Sequence, residues 1–244
     1  EKVYFFKTDI KGFYDSIDLD TLYRKLEPSV DASVLQLIKT AINTVTVSKG
    51  GARLSSNQQS RLMGIPQGLS ISNILAGISM LNFDESIENH CDANTLYKRY
   101  VDDILILSTT PINARFVDEF KCELIIKGVS LRLSPDKTHY GIVGDKSFEY
   151  IGYSFKSTLC ISIRQKNTQT FLNRISRLIS RYRSQKENPF TRPRFIIEDQ
   201  AFDDYYIALI NFKLSGFKTL NHLYGWLPYF QAMTDIQLLY QLDT

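Results

Sequence analysis

The chain has 244 residues, a formal net charge of +3, 43% hydrophobic and 23% charged side chains. This supplies a core for one or two folded domains and excludes a disordered polymer. No run of about 18 apolar residues occurs, so no membrane-spanning helix is expected, no signal peptide is visible, and the scattered Cys91, Cys122 and Cys160 argue for a reducing, cytoplasmic setting without disulfides or zinc.

Val3 to Asp9 is aromatic and β-branched and predicts a strand ending at Asp9. Gly12 permits a sharp change of direction, and Asp18 or Asp20 is placed to cap a helix through Thr21–Leu26. Ser33–Thr46 predicts a helix, and Thr44–Leu54, with Gly50-Gly51, a hairpin. Gly64-Ile65-Pro66-Gln67-Gly68-Leu69-Ser70 predicts a rigid loop, in which Pro66 fixes φ and Gly68 allows a close backbone approach. Ser70 is the expected cap of a helix carried on Ile71, Ile74, Leu75, Ile78 and Leu81. Gln67 has no structural duty in such a loop, and its amide suits a base, a sugar or a backbone group.

Tyr100-Val101-Asp102-Asp103 leads into Ile104–Leu107, an apolar run that predicts a buried strand with a hairpin at its mouth. Read alone, an Asp-Asp pair is more often a solvated turn. Adjacent carboxylates beside a buried strand repel, however, unless a cation neutralises them. Asp9, at another strand end, is placed to face them if the two strands pair. Three carboxylates around two hard cations suit phosphoryl or nucleotidyl transfer. All-oxygen ligands point to Mg²⁺, with Mn²⁺ as a substitute.

Further along, Phe116–Lys127 predicts a helix, and Ser130–Leu133, Phe148–Phe155 and Cys160–Ile163 predict strands. An α+β fold is expected, an antiparallel sheet with helices on one face. Residues 156–194 hold ten Lys/Arg against one acid, Glu187, a local charge of +9 in a chain of +3. Within them Phe171, Ile175, Leu178 and Tyr182 repeat at helical spacing, and Arg174, Arg177 and Arg181 share a second face. This predicts a helix lying along a nucleic-acid backbone, with Arg164, Lys166 and Arg183 in the same basic tract. A solvated helix face is the bland alternative, but acids would then be mixed in. Asn188–Pro193 predicts a loop. Asp199–Asp243 is aromatic-rich with a helical pattern, two helices meeting at Gly225–Pro228 and Trp226 in the core. His90, His139 and His222 are scattered and read as ordinary.

Taken in order, these segments resemble the reverse transcriptase (RNA-directed DNA polymerase) family. Asp9–Ile17 is similar to its first palm motif, Gly64–Asn73 to its second, and Tyr100–Asp103 to its Tyr-x-Asp-Asp motif. Leu131–Thr138, with Lys137, is similar to the fourth motif. Phe148–Phe155 is similar to the primer-grip hairpin, carried by Tyr150, Ile151, Gly152 and Tyr153. The forms Lys11-Gly12-Phe13-Tyr14-Asp15-Ser16-Ile17 and Ile65-Pro66-Gln67-Gly68 resemble the bacterial branches (group II intron, retron and abortive-infection defence) rather than the retroviral one.

The resemblance implies a polymerase palm over residues 1–160, with part of the fingers, followed by a helical thumb over 161–244. The family's upstream fingers do not fit within the eight residues before Asp9, so an excised palm–thumb segment is expected, with loss of the fingers as the alternative. It implies that Asp9, Asp102 and Asp103 are catalytic and, with the carbonyl of Ile10, hold two Mg²⁺. Tyr14 falls where the family carries an aromatic gate against the ribose 2′-hydroxyl. Gln67 and Gly68 would line the nascent base-pair pocket, and Lys137 would serve the triphosphate as a cation or proton donor. The implied partners are an RNA template and a DNA primer or product, with a dedicated noncoding RNA as a further candidate. The implied reaction is template-directed addition of dNTPs to a 3′-hydroxyl, in a bacterial retroelement or phage-defence system. One rival is an RNA-dependent RNA polymerase, against which Tyr14 argues. Others are a template-independent or protein-primed polymerase of abortive-infection type, and a catalytically silent RNA-binding palm, against which the intact carboxylates argue.

Overall fold

The computed structural model describes residues 2–44, 63–127, 131–156, 158–196, 198–219 and 222–243, in two compact units, 1–145 and 146–244. The hairpin expected over Thr44–Leu54 lies, after Thr44, outside the described residues.

In the first unit, strands β1 (Tyr4–Asp9), β2 (Thr95–Tyr100), β3 (Asp103–Ser108) and β4 (His139–Ile142) form an antiparallel sheet in the order β2-β3-β1-β4. Alternation along β1 separates two faces. Phe6, with Ile104 and Ile106 of β3, joins the main core, while Phe5, Lys7 and Asp9 point the other way. Helices α1 (Phe13–Ser16), α2 (Leu19–Leu26), α3 (Ala32–Asn43), α4 (Ser72–His90) and α5 (Ala114–Lys127) all contribute buried residues to that core. Its centre is aromatic: Phe120 meets Phe6 at 5.0 Å and Phe83 at 5.4 Å, both edge to face.

The local signals act largely as their chemistry dictates. Asp18 caps α2 by accepting from the Thr21 amide at 2.7 Å. Ser70 does not cap α4; the helix starts at Ser72, whose hydroxyl turns back to donate to the Pro66 carbonyl at 2.6 Å. The buried face of α4 is also rotated from the expected stripe. Leu75, Met80, Phe83 and Ile87 set it, and Ile74 and Leu81 are exposed. Strand β4 has no apolar run to announce it, being an edge strand in which none of the four residues is buried. The strand expected at Ser130–Leu133 contributes one isolated bridge, Leu133 to Ile10, and Ser130 is outside the described residues.

In the second unit, β5 (Phe148–Tyr150), β6 (Tyr153–Phe155) and β7 (Ile161–Ile163) form an antiparallel sheet. The primer-grip-like hairpin therefore belongs to this unit, because β6 pairs onward with β7. Helix α6 (Gln165–Glu187) and helix α7 (Asp199–Leu214) pack through Tyr182, Phe202 and Tyr206. Strands β8 (Phe217–Thr219) and β9 (His222–Tyr224), helix α8 (Trp226–Tyr229) and helix α9 (Ile236–Asp243) complete it. The segment before Gly225 is thus a hairpin strand rather than the helix expected there. The reason is a glycine pair: a Cβ on Gly216 would lie 1.6 Å from the Tyr224 carbonyl oxygen, and one on Gly225 would lie 2.5 Å from the Gly216 Cα. Two bare backbones let the chain double back where a helical pattern would have run on. Trp226 is half-buried and stacks on Phe171 at 4.2 Å rather than lying fully inside. No described helix is long and apolar enough to cross a membrane.

Candidate active site

The pairing of β1 with β3 sets Asp9 directly across from Asp103. In the hairpin of β2 and β3, Tyr100 pairs with Asp103, which leaves Val101-Asp102 as a two-residue turn. Val101 has φ +58°, a left-handed conformation that costs a β-branched residue about 1–3 kcal/mol. A half-buried network offsets that cost. Arg99 donates to the Val101 carbonyl at 2.7 Å and, through Nε, to Asp84 at 2.7 Å. Asp84 also accepts from Arg99 Nη2 and, at 2.6 Å, from the Tyr97 hydroxyl. The Ile10 amide donates to the Asp102 carbonyl at 3.1 Å, which ties the turn to the end of β1.

Two of the three acids are matched by lysines. Lys7 Nζ lies 3.0 Å from Asp103 Oδ1, and Lys137 Nζ donates to Asp9 Oδ2 at 2.9 Å. The Ser134 hydroxyl donates to Asp9 Oδ1 at 3.0 Å, and its amide to the Asp9 carbonyl at 2.7 Å. Asp102 has no such partner of its own among the described residues. Burial first, and then the charges of Asp9 and Asp103, push its carboxyl above the usual range, against the pull of its own backbone N–H and Lys137. The hydrogen bond to Asp9 holds the Lys137 ammonium above the usual lysine range. Asp9 and Asp102 are hard oxygen donors with an excess of negative charge, which fits a divalent cation. Among the described residues no three Asp, Glu, His or Cys side chains are gathered as a ready-made cage. Lys7 and Lys137 each engage one of the carboxylates that such a cage would need.

Tyr14, on α1, donates its hydroxyl to Asn73 at the start of α4. Burial, followed by the charges of Asp102 and Tyr100, raises its phenol above the usual value, so the ring lies in the electrostatic neighbourhood of the carboxylates. The loop before α4 is pinned to the same segment: the Ile65 amide donates to the Tyr14 carbonyl and the Gly64 amide to the Ile17 carbonyl, each at 2.8 Å. On that loop Gln67 is exposed. Gly68 has φ +100°, and a Cβ there would meet nothing within 4 Å, so open space adjoins it.

The remaining candidates lie in the second unit. Tyr150 pairs with Tyr153 across a turn whose central residues, Ile151 (φ +47°) and Gly152 (φ +82°), are both left-handed. The Tyr229 hydroxyl donates to the Ile151 carbonyl at 3.2 Å, and that of Tyr153 to the Tyr229 carbonyl at 2.7 Å. On α6, helical spacing puts Lys166, Arg174, Arg177 and Arg181 along one side and Arg183 on the opposite one; all five are exposed. Among the described residues none of these five forms a salt bridge. Arg164 does, lying 2.6 Å from Glu149. Sequence reasoning did not single out Lys7, Ser134, Asn73, Asp84 or Arg99. Strand alternation could have found Lys7, two positions before Asp9 on the same face.

Residues 1–155 match the family model described as Reverse transcriptase (RNA-dependent DNA polymerase). The chain belongs to the reverse transcriptase family. No curated protein matches it. Among solved structures it is similar to telomerase from Candida Tropicalis in complex with the TWJ fragment of telomeric RNA, at 14% identity over 75% of this chain and 34% of that chain, with a TM-score of 0.53. It is also similar to apo telomerase from Candida Tropicalis, at 14% identity over 66% of this chain and 32% of that one, with a TM-score of 0.50. These likenesses establish a shared fold, and the chain spans about a third of the length of those telomerase chains.

Proposed function

We propose that this chain is the catalytic region of an RNA-directed DNA polymerase, which adds dNTPs to a 3′-hydroxyl and releases pyrophosphate. The observation that carries this reading is Asp102, at the tip of a two-residue turn beside Asp9 and Asp103 and with no ion-pair partner among the described residues, in a chain of this family. Asp9 and Asp102 would hold Mg²⁺ or Mn²⁺, with the Ile10 carbonyl as a further donor. When bound, such ions activate the attacking oxygen and offset charge on the leaving phosphate. Asp103, paired with Lys7, keeps the hairpin in place beside them. Lys137 keeps its proton through neutral pH and is suited to give a cation or a proton to pyrophosphate.

The Tyr14 ring, held by Asn73, crowds a ribose 2′-hydroxyl and so favours dNTPs. Gln67 and the open space at Gly68 receive the nascent base pair. Tyr150–Tyr153 support the primer strand. Lys166, Arg174, Arg177 and Arg181 follow phosphates of an RNA template and its DNA primer or product; Arg164 and Arg183 contribute less, being paired with Glu149 or on the other side of α6. The motif forms at residues 11–17 and 65–68 support a bacterial retroelement or phage-defence setting, cytoplasmic and with room for a dedicated noncoding RNA.

The test uses the full-length protein carrying this segment. Incorporation of labelled dNTPs and NTPs is followed with and without Mg²⁺ and with and without primer–template, beside Asp102→Ala. Template-dependent dNTP incorporation that the substitution abolishes is expected. Incorporation without template would replace the reading with a template-independent polymerase. RNA binding with no incorporation under any condition would replace it with a silent scaffold.

A further inference from the structure

Within the second unit lies a cavity of about 520 Å³ between α6, the end of α7 and the hairpin of β8 and β9. Its walls are of two chemical kinds. The rings of Phe212, Phe217 and Tyr224 form a near-parallel stack, with centroid spacings of 4.8 and 5.0 Å and interplanar angles of 14° and 16°. All three residues are substantially exposed; Phe217 lies between the other two, so the stack meets water through its ring edges and its outer faces. Arg174 and Lys213 supply positive charge, and no carboxylate is among the lining residues. Lys213 Nζ sits over the Phe212 ring, 5.6 Å from its centroid. Trp226 completes the wall; its indole N–H is buried and has no hydrogen-bond partner among the described residues. The wall is also held in shape. The contact between Gly216 and Gly225 fixes the root of the hairpin that presents Phe217 and Tyr224.

An aromatic wall beside two cations that form no salt bridge among the described residues selects a ligand that is planar at one end and anionic at the other. A purely apolar ligand would leave Arg174 and Lys213 uncompensated, and an inorganic anion would leave the rings in water. The cationic line does not stop at the cavity. Arg177 and Arg181 continue it along α6, about 10 Å from Arg174 to Arg181 at 1.5 Å per residue. The ligand's phosphates therefore extend beyond the cavity mouth, as they do in a polynucleotide and not in a free mononucleotide.

We propose that this cavity receives one unstacked nucleotide of a single-stranded nucleic acid, its base on the aromatic wall and its phosphate on Arg174 and Lys213. The proposal rests on the reading of the second unit as nucleic-acid-binding. It adds a site that takes a base out of the strand, where phosphate contacts alone would track any backbone.

Trp226 is the single tryptophan of these 244 residues, which makes the cavity observable. The full-length protein is titrated with a labelled short oligouridine, read by anisotropy, and with its 5-bromouridine counterpart, read by tryptophan emission. Subtracting the Trp226→Phe signal isolates the cavity. The expected result is saturable quenching of the Trp226 component, with the midpoint seen by anisotropy. Tyr224→Leu and Arg174→Gln each weaken binding on the order of tenfold, and Arg174→Gln lowers the salt slope by about one. Photocrosslinking of a 5-iodouridine strand to the wild-type protein, mapped by mass spectrometry to the cavity wall, keeps the test independent of how a variant folds. Anisotropy binding with no change in Trp226 emission and no cavity crosslink would overturn the cavity and leave the nucleic-acid reading intact. No binding at all would overturn both. Equal quenching by 5-bromouridine monophosphate at the same midpoint would overturn the strand in favour of a free nucleotide.

Discussion

Lys7 and Asp103 lie diagonally across neighbouring antiparallel strands and form a 3.0 Å ion pair, with the lysine almost wholly buried. The pair sits on the face that carries Asp9, so a fixed positive charge is built into the sheet beneath the carboxylates. It offsets one of three like charges before any metal binds.

Lys7→Met leaves Asp103 unpaired at the edge of the core. The expected loss of stability is about 3 kcal/mol, the lower end for a broken buried pair because Asp103 keeps some solvent. The excess negative charge should also deepen the response to Mg²⁺, with a larger rise in Tm on adding the ion than in the wild type. Thermal melts with and without Mg²⁺ check both; an unchanged Mg²⁺ response would remove Lys7 from the charge balance of the site.

Lys137 is mostly exposed, so its pair with Asp9 contributes only about 0–1 kcal/mol. Its raised ammonium makes that contribution present below the ordinary lysine range and lost as pH rises through the raised value. At neutral pH the expected effect of Lys137→Met is catalytic: single-turnover incorporation slows about 10²-fold or more, while template affinity and Tm hold. A fall in template affinity with an unchanged chemical step would contradict the assignment.

Tyr14→Ala removes the ring and Tyr14→Phe removes only the hydroxyl that Asn73 accepts. The first should raise the use of NTPs relative to dNTPs by about 10- to 100-fold, the range set by one steric contact in a pocket. The second should shift the ratio by a small part of that. Ratios of kcat/KM for the two nucleotide types decide between ring and hydroxyl.

Asp235 ties α9 to the sheet of the second unit. It accepts from Lys156 Nζ at 2.5 Å and from the Ser162 hydroxyl at 2.6 Å, and these bonds hold its carboxyl below the usual range. A depressed carboxylate stabilises above its unfolded value and loses that stabilisation as pH falls through its folded one. Acid unfolding should therefore steepen below about pH 4, and Asp235→Asn should flatten that limb while costing about 2 kcal/mol at neutral pH. Urea melts across the acid range measure both.

Gly216→Ala forces a Cβ into the Tyr224 carbonyl at a φ of +74°. The β8–β9 hairpin should open or shift, at a cost of at least about 2 kcal/mol. Hydrogen exchange should show lost protection confined to residues around 217–224. Unchanged protection there would mean that the hairpin root relaxes freely.

What the sequence made legible follows from how local its causes are. The first strand and the hairpin around Val101-Asp102 were readable because each is determined by a few adjacent residues, and the same local chemistry narrowed the cap of α2 to Asp18 or Asp20, of which the structure selects Asp18. The helix expected over Phe116–Lys127 was readable from its 3.6-residue repeat, and the structure starts it two residues earlier, at Ala114. Strand β4 was not, because an edge strand needs no apolar run, and the Gly216–Gly225 contact was not, because it joins residues that no pattern links. Within the candidate site the carboxylates, Tyr14 and Lys137 came from motif order. The supports, Arg99 on Asp84 and Lys7 on Asp103, depend on strand register and helix packing. No spacing rule connects an acid on α4 to an arginine one residue before Tyr100.

The pairing of Asp9 with Asp103 joins residues about ninety positions apart, so its formation must close a long loop before any contact rewards the closure. Local helices can form early, but the carboxylates meet only when β1 enters the sheet beside β3. An intermediate with native-like helices and an unclosed sheet would have no active centre. If the site holds Mg²⁺ as proposed, recovery of its binding during refolding would time the docking of β1, a step that helical signals alone would miss.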